Sequence, residues 1–250
     1  MNERLQKLLS RAGILSRRRC EALMAEGRIR VNGQVVRTPG TKASRSDHIL
    51  IDGRPVPLNR APDYLLMYKP RGCMTTLSDP EGRTTVCDYL PPVGRHLFPV
   101  GRLDYASEGL LLFTNDGELA QSLMRPSHGV PRLYLVKVKG IPGPHHLQQL
   151  RRPFRLQGRL TRPAQIEVRS AHRNAVLEVT LTEGKKHHIR EMFRRVGHPV
   201  IRLRRIAYGP IRDRALRPGR TRLLTSQEVR ALRASVSDLA HEAASPGATK

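Results

Sequence analysis

The stretch that most restricts the fold is residues 101–117, GRLDYASEGLLLFTNDG. Four consecutive apolar residues, 110–113, carry no polar alternation and read as a strand buried on both faces. Asn115-Asp116-Gly117 closes that strand with turn chemistry. The same seventeen residues hold Asp104, Glu108 and Asp116 against one base, Arg102, a local balance of −2 in a chain whose formal balance is +24. Glu108 and Asp116 read as turn and loop acids that shape the segment. Asp104, one residue after Leu103 and two after Arg102, has two physical readings at this point. It is a solvated turn acid at a strand start, or a reactive carboxylate set in a basic groove.

The basic surroundings are extreme. Lys and Arg number 45 against 21 acids, an excess that points to a polyanion, because each phosphate neutralised releases counterions and adds affinity. RNA, DNA or a ribosomal particle fits, and a membrane surface competes. No run of ~18 apolar residues exists and no apolar segment follows Met1, so the expectation is a soluble, cytoplasmic protein without membrane contact. Cys20, Cys73 and Cys87 form no CxxC pair and leave an odd count, so they read as reduced and structural. The histidine pairs 145–146 and 187–188 lack ligand spacing, and no metal is expected.

With 250 residues there is room for one or two domains. Residues 2–12 read as a helix with Leu5, Leu8, Leu9 and Ala12 inward, stopped by Gly13. Ser16 caps a second helix that ends at Gly27, with Cys20, Leu23 and Met24 on its apolar face. Ile29 and Val31, then Asn32-Gly33, then Val35 and Val36 give a hairpin with a type I′ turn. Arg17, Arg18, Arg19, Arg28 and Arg30 load this unit, and residues 1–60 carry a net +8. Such a run is a solvated charged face or an RNA-binding one.

Pro55, Pro57 and Pro62 mark a linker near 55–63. Beyond it the pattern gives strands at 64–68, 110–113, 133–139, 166–168 and 176–181, and helices at 118–124, 144–151 and 187–196. Residues 185–222 hold thirteen bases and two acids, the densest positive stretch. Thr225 and Glu228 form a capping box for a last helix, and the Ala- and Ser-rich residues after about 235 read as a disordered tail. Strands and helices do not alternate regularly. The fold class is therefore α+β: a small N-terminal domain of helices and a small sheet at 1–60, a domain with a mixed, mostly antiparallel sheet at 61–234, and a tail at 235–250.

The first unit, RLQKLLSRAGILSRRRCEALMAEGRIRVNGQVV, resembles the S4 RNA-binding domain, which implies a grip on structured RNA through shape and phosphates. GRLDYASEGLLLFTNDG resembles the signature of the RsuA/RluB branch of the pseudouridine synthases. YKPRGCMTTLSDPEGRTTVCDYLP, RLYLVKVKG, EGKKHHIREMFRRVGHPVIRLRRIAYGP and LRPGRTRLLTSQEV follow as its companion segments. SDPEGR with the downstream DYLP tilts the match toward the B-type enzymes, which act on large-subunit ribosomal RNA. The resemblance leaves small-subunit RNA as the nearest alternative, and a non-catalytic RNA-binding assembly factor as another. A decayed enzyme need not keep Asp104, Tyr134 and Arg190, and all three stand here.

What the resemblance implies is an isomerase that converts uridine to pseudouridine, with ribosomal RNA or a pre-ribosomal particle as partner, acting as a monomer. No redox step occurs, so no cofactor is implied. Asp104 is the implied nucleophile, attacking C1′ or the ring, both of which stay open. Arg190 pairs with it as a guanidinium that keeps the carboxylate charged and oriented. Tyr134 stacks on the uracil and assists removal of the C5 proton. Arg102 occupies the gap left by the extruded nucleotide, and Leu203 packs under the base. Lys69, Arg71, Lys185 and Lys186 are the implied phosphate contacts. Three positions depart from the family pattern: Tyr68 for the usual Asn, Ser107 for Thr, and Phe113 for Leu. Ser107 and Phe113 keep the chemistry of what they replace. Tyr68 does not, and bears on loop geometry or substrate choice.

Overall fold

The computed structural model describes residues 2–58, 61–94 and 96–244. The chain divides into two compact units, one made of residues 1–64, 91–98 and 113–117, the other of residues 65–90, 99–112 and 118–250.

In the first unit α1 (Leu5–Arg11) and α2 (Arg17–Ala25) pack together. The Ser16 hydroxyl accepts from the Arg19 amide at 3.2 Å, the expected cap. A small sheet follows, β1 (Ile29–Val31), β2 (Gln34–Val35), β3 (Ile49–Ile51) and β4 (Arg54–Pro55), in spatial order β2-β1-β3-β4. Asn32 and Gly33 have φ of 50° and 82°, as a type I′ turn requires. Asp52-Gly53, with φ of 50° and 76°, makes the same turn between β3 and β4. Leu5, Leu8, Leu9, Cys20, Leu23, Met24, Ile29 and Ile49 close the core of this unit. Burial pushes the Cys20 thiol up to about 11, which suits a structural cysteine.

The large sheet contains β5 (Tyr64–Lys69), β6 (Glu108–Thr114), β7 (Arg132–Lys139), β8 (Gln165–Ala171), β9 (Asn174–Leu181), β10 (Val200–Tyr208) and β11 (Thr221–Leu223). Their order is β8-β9-β7-β10-β6-β5-β11, with two short strands added on β6 and β10. β10 runs parallel to β6, while the ladders β10–β7, β7–β9, β9–β8 and β5–β11 are antiparallel. The sheet is mixed and mostly antiparallel, and every residue of β6 is buried, as its apolar run predicts.

Along β7 the period-two pattern puts Tyr134, Val136 and Val138 on one face, where they meet Ile189, Met192 and Phe193 of α5 (His188–Arg195). Burying those three α5 side chains contributes roughly 5–9 kcal/mol, enough to seat the helix beside β10. Gly109 (φ 111°) is required where β6 meets β10, because a Cβ there would collide with the backbone of Arg205. The two strands that carry the site are thereby drawn together.

Three further helices, α3 (Gly117–Met124), α4 (Pro144–Arg151) and α6 (Ser226–Ala244), complete the order. Thr225 and Glu228 form their reciprocal capping bonds at 2.8 and 3.2 Å. The helix they start runs through Ala244, so residues 235–244 are helical and not the tail expected of them. Their alanine-rich composition has the propensity to continue a well-capped helix. Residues 245–250 lie outside the described residues.

Candidate active site

Asp104 lies in the loop that enters β6, and three residues of one neighbouring segment, Lys69, Gly72 and Thr75, fix that loop. The Thr75 hydroxyl donates to the Leu103 carbonyl at 2.7 Å and accepts from the Leu103 amide at 3.3 Å. The Gly72 amide donates to the Tyr105 carbonyl at 2.9 Å, and the Ser107 amide turns back to the Asp104 carbonyl at 2.9 Å. Lys69, at the end of β5, is 0% exposed. Its Nζ donates to the carbonyls of Pro70 (2.9 Å), Asp104 (3.2 Å) and Ser107 (2.9 Å). The expectation that Lys69 touches phosphate is corrected, since an ammonium sealed among three carbonyls cannot reach RNA. It clamps the loop instead. Burial lowers its pKa, and the nearby Cys73 and Asp104 act in the opposite sense.

The loop borders a cavity of about 360 Å³. The Asp104 carboxylate is about one-third exposed at its edge, with Oδ1 3.6 Å from His187 Nε2. Tyr134 (β7) and Leu203 (β10) form part of the wall, both largely buried, and Arg102 and Lys186 stand exposed at the rim. The expected site residues Asp104, Tyr134, Leu203, Arg102, Lys185 and Lys186 therefore share one cavity.

Two expectations need adjusting. Arg190 on α5 donates from Nη2 to the Ala106 carbonyl at 3.1 Å and to Ser107 Oγ at 3.4 Å. Among the described residues it forms no ion pair with Asp104, because its guanidinium is taken by the far end of the same turn. Burial lowers the Arg190 pKa, and the Asp104 charge opposes that shift, so the two groups do sense each other. Lys185 is committed to the Leu160 carbonyl (2.6 Å) and to Glu183 (3.3 Å). Arg71 is exposed and outside the cavity wall.

The structure adds residues that the sequence reading missed. Arg132, Arg205 and Tyr208 line the cavity beside Tyr134 and Leu203. Arg132 stands two residues before Tyr134 and Arg205 two after Leu203, so strand alternation would have put them on the same face. His188 also lines the wall, with both ring nitrogens buried and without a hydrogen-bond partner among the described residues, its Nδ1 3.8 Å from Glu183 Oε1. Glu108, read as a turn acid, is instead the buried first residue of β6, ion-paired with Arg202 and, at 3.4 Å, with Arg204. Asp116 is buried and accepts from the Tyr64 hydroxyl at 2.7 Å. Tyr68, the departure noted above, lies buried with Arg204 5.8 Å from its ring centre.

In the first unit Arg17, Arg18, Arg19, Arg28 and Arg30 are all exposed. Arg28 is held by Asp52 at 2.6 and 2.7 Å and by Glu26 at 2.9 Å, which commits its guanidinium to the protein. Among the described residues no group of three His, Cys, Asp or Glu could hold a metal ion, and no helix is long and apolar enough to cross a membrane.

Comparison with known proteins decides what this arrangement belongs to. Residues 63–195 match the family described as RNA pseudouridylate synthase, and residues 3–49 match the S4 domain. The chain belongs to the RNA pseudouridylate synthase family. It is 42% identical over 235 residues to the ribosomal large subunit pseudouridine synthase B of Bacillus subtilis, covering 93% of this chain and 96% of that one. The enzyme of the same name from Yersinia pestis is 40% identical over 218 residues, 84% of this chain and 69% of its own. A crystal structure of a pseudouridylate synthase superposes with a TM-score of 0.67 at 26% identity, covering 92% of this chain and 99% of that chain. This pseudouridylate synthase thus carries an S4 domain and a mixed sheet with a cavity bordered by an acid on a clamped loop.

Proposed function

We propose that this chain isomerises uridine to pseudouridine in large-subunit ribosomal RNA, with Asp104 as the nucleophile. The observation that carries the reading is the cavity itself, where a one-third-exposed carboxylate on a loop pinned by Lys69, Thr75 and Gly72 shares the wall with Tyr134 and Leu203. Relatives named as ribosomal large subunit pseudouridine synthase B support the choice of RNA. The reaction breaks the bond between N1 and C1′ and forms one between C5 and C1′. A proton leaves C5 and one returns to N1, so atoms and electrons balance without a cofactor.

Each wall group has a part in this reading. A carboxylate can attack as a nucleophile and leave readily afterwards, which suits a transient covalent bond. Tyr134 stacks its ring on the uracil and brings its hydroxyl toward the C5 proton, while Leu203 supports the other side of the base. Arg190 holds the turn that carries Asp104 and supplies positive potential to it. Arg102 occupies the gap left in the RNA by the flipped nucleotide. Arg71 and Lys186, with Arg17, Arg18, Arg19 and Arg30 of the S4 domain, contact phosphates.

A domain of residues 1–60 tethers the catalytic domain of residues 61–234 to the same RNA and raises its effective concentration at the target. In this reading the enzyme works as a cytoplasmic monomer on ribosomal RNA or a pre-ribosomal particle. Asp104→Asn tests the assignment. Purified variant and wild type are incubated with transcribed large-subunit RNA, and pseudouridine is counted. The variant is expected to fall at least ~1,000-fold in rate, on the scale lost with an essential nucleophile, and to bind RNA within about twofold. Near wild-type turnover in Asp104→Asn would overturn the mechanism.

A further inference from the structure

Buried cations without counter-charges are expensive, and this cavity has two. Arg132 is 7% exposed and Arg205 2% exposed, and a guanidinium keeps its charge at any physiological pH. Among the described residues neither forms an ion pair. Arg132 Nη2 donates to the Leu123 carbonyl at 3.1 Å and to the Tyr208 hydroxyl at 3.4 Å, and Arg205 Nε donates to the Leu110 carbonyl at 2.7 Å. These are neutral partners. Arg205 Nη2 is buried with no hydrogen-bond partner among the described residues.

The two guanidiniums are arranged around one ring. Their Cζ atoms lie 5.2 Å (Arg132) and 5.0 Å (Arg205) from the centre of Tyr208, itself 1% exposed, and all three residues line the cavity that holds Asp104. Cation–π contact offsets part of the burial cost but neutralises neither charge. The wall's other carboxylate, Glu183, is occupied by the Arg162 amide at 2.8 Å and by Lys185 at 3.3 Å. The positive charge is thus left facing the space that substrate enters.

We propose that Arg132 and Arg205, both held against the Tyr208 ring, form a buried phosphate site that takes the phosphodiester group next to the target uridine. The inference rests on the reading of this cavity as the uridine site and adds to it a recognition element. Surface lysines gather RNA of any sequence, whereas this pair binds only once a nucleotide has left the helix and brought its phosphate inside. Phosphate supplies the missing acceptor for Arg205 Nη2 and the missing counter-charge for both arginines. The arginine pair therefore couples base flipping to seating of the base over Asp104.

The test uses the full chain and small probes. Protein labelled with 15N is titrated with uridine, uridine 5′-monophosphate and uridine 3′-monophosphate, the two isomers distinguishing which flanking phosphate enters. One monophosphate is expected to bind at least tenfold more tightly than uridine and to shift the side-chain Nε–H signals of Arg132 and Arg205. Arg132→Met and Arg205→Met should each lose that tenfold preference while binding uridine as before, with retained uridine binding showing that the variant is folded. The Nε–H signals of the unmodified protein give a second readout should either variant fail to fold.

Equal affinity for uridine and both monophosphates, binding of none of them, or shifts confined to Lys185, Lys186 and exposed arginines would overturn the phosphate site. So would a preference that survives in a folded Met variant. Because binding is scored without turnover, loss of this inference is distinguishable from failure to make pseudouridine in ribosomal RNA.

Discussion

Two acids four residues apart in the same segment meet opposite fates. Asp104 sits in the loop before β6 with its carboxylate one-third exposed to the cavity, its backbone carbonyl fixed by Lys69 and by the Ser107 amide. Glu108 begins β6 with its carboxylate 5% exposed and clamped by Arg202 and Arg204. Burial pushes the Glu108 pKa up, and the hydrogen bonds and charges of the two arginines outweigh it and hold the carboxyl below its usual range. One acid has a rigid backbone and an open side chain, the other a side chain wholly spent on structure. Among the described residues no arginine forms an ion pair with Asp104, and Arg190 bonds the far end of its loop instead.

The largest way to break this contrast is to release the backbone of Asp104. Lys69→Met removes three carbonyl contacts without touching the carboxylate. Turnover under single-turnover conditions should fall roughly 100-fold, the scale of a small misplacement of a reacting group, while RNA affinity stays within about twofold. Equal losses in affinity and rate would assign Lys69 to RNA binding after all.

Glu108→Gln attacks the other side. It leaves Arg202 and Arg204 without their carboxylate, and because those side chains are 48% and 35% exposed, water recovers part of the loss. We expect about 2 kcal/mol of destabilisation in urea unfolding, with turnover of the folded enzyme within about threefold. A collapse of turnover at unchanged stability would make Glu108 the more important acid for catalysis.

His188 sharpens the comparison as a third titratable group of the cavity wall. Burial pushes its pKa down to about 4, against the pull of Glu183. An unfolded histidine titrates near 6.5, so between those values the unfolded chain takes up a proton that the folded one refuses. The contribution to stability is whole above about pH 6.5 and shrinks as pH falls toward 4. Wild type should lose about 1 kcal/mol more than His188→Leu between pH 7.5 and 5.5, measured by urea midpoints. Parallel curves would mean that His188 meets solvent or finds a partner.

Much of the fold was legible because local chemistry and tertiary demand agree. Asn32-Gly33, the Ser16 cap and the Thr225–Glu228 box each satisfy backbone groups within a few residues, and their sequences state it. The apolar run at 110–113 allowed only a covered strand. Of the candidate site, the resemblance singled out Asp104, Tyr134 and Leu203, and the structure gathers them at one cavity. What the sequence hid were cations with the wrong surroundings. Lys69 next to a proline and Arg205 beside Arg202 and Arg204 read as surface charge, and only the packing of β5 and the approach of β10 to Gly109 bury them. Nothing local marks Arg202 and Arg204 as partners of Glu108 across 94 and 96 residues.

The most direct test of the central claim is a map of pseudouridines in large-subunit ribosomal RNA from cells with and without this gene. At least one position should lose pseudouridine in its absence, regain it on return of the wild-type gene, and stay uridine on return of Asp104→Asn. An unchanged map, or restoration by the Asn variant, would contradict the assignment of this cavity and this carboxylate to uridine isomerisation.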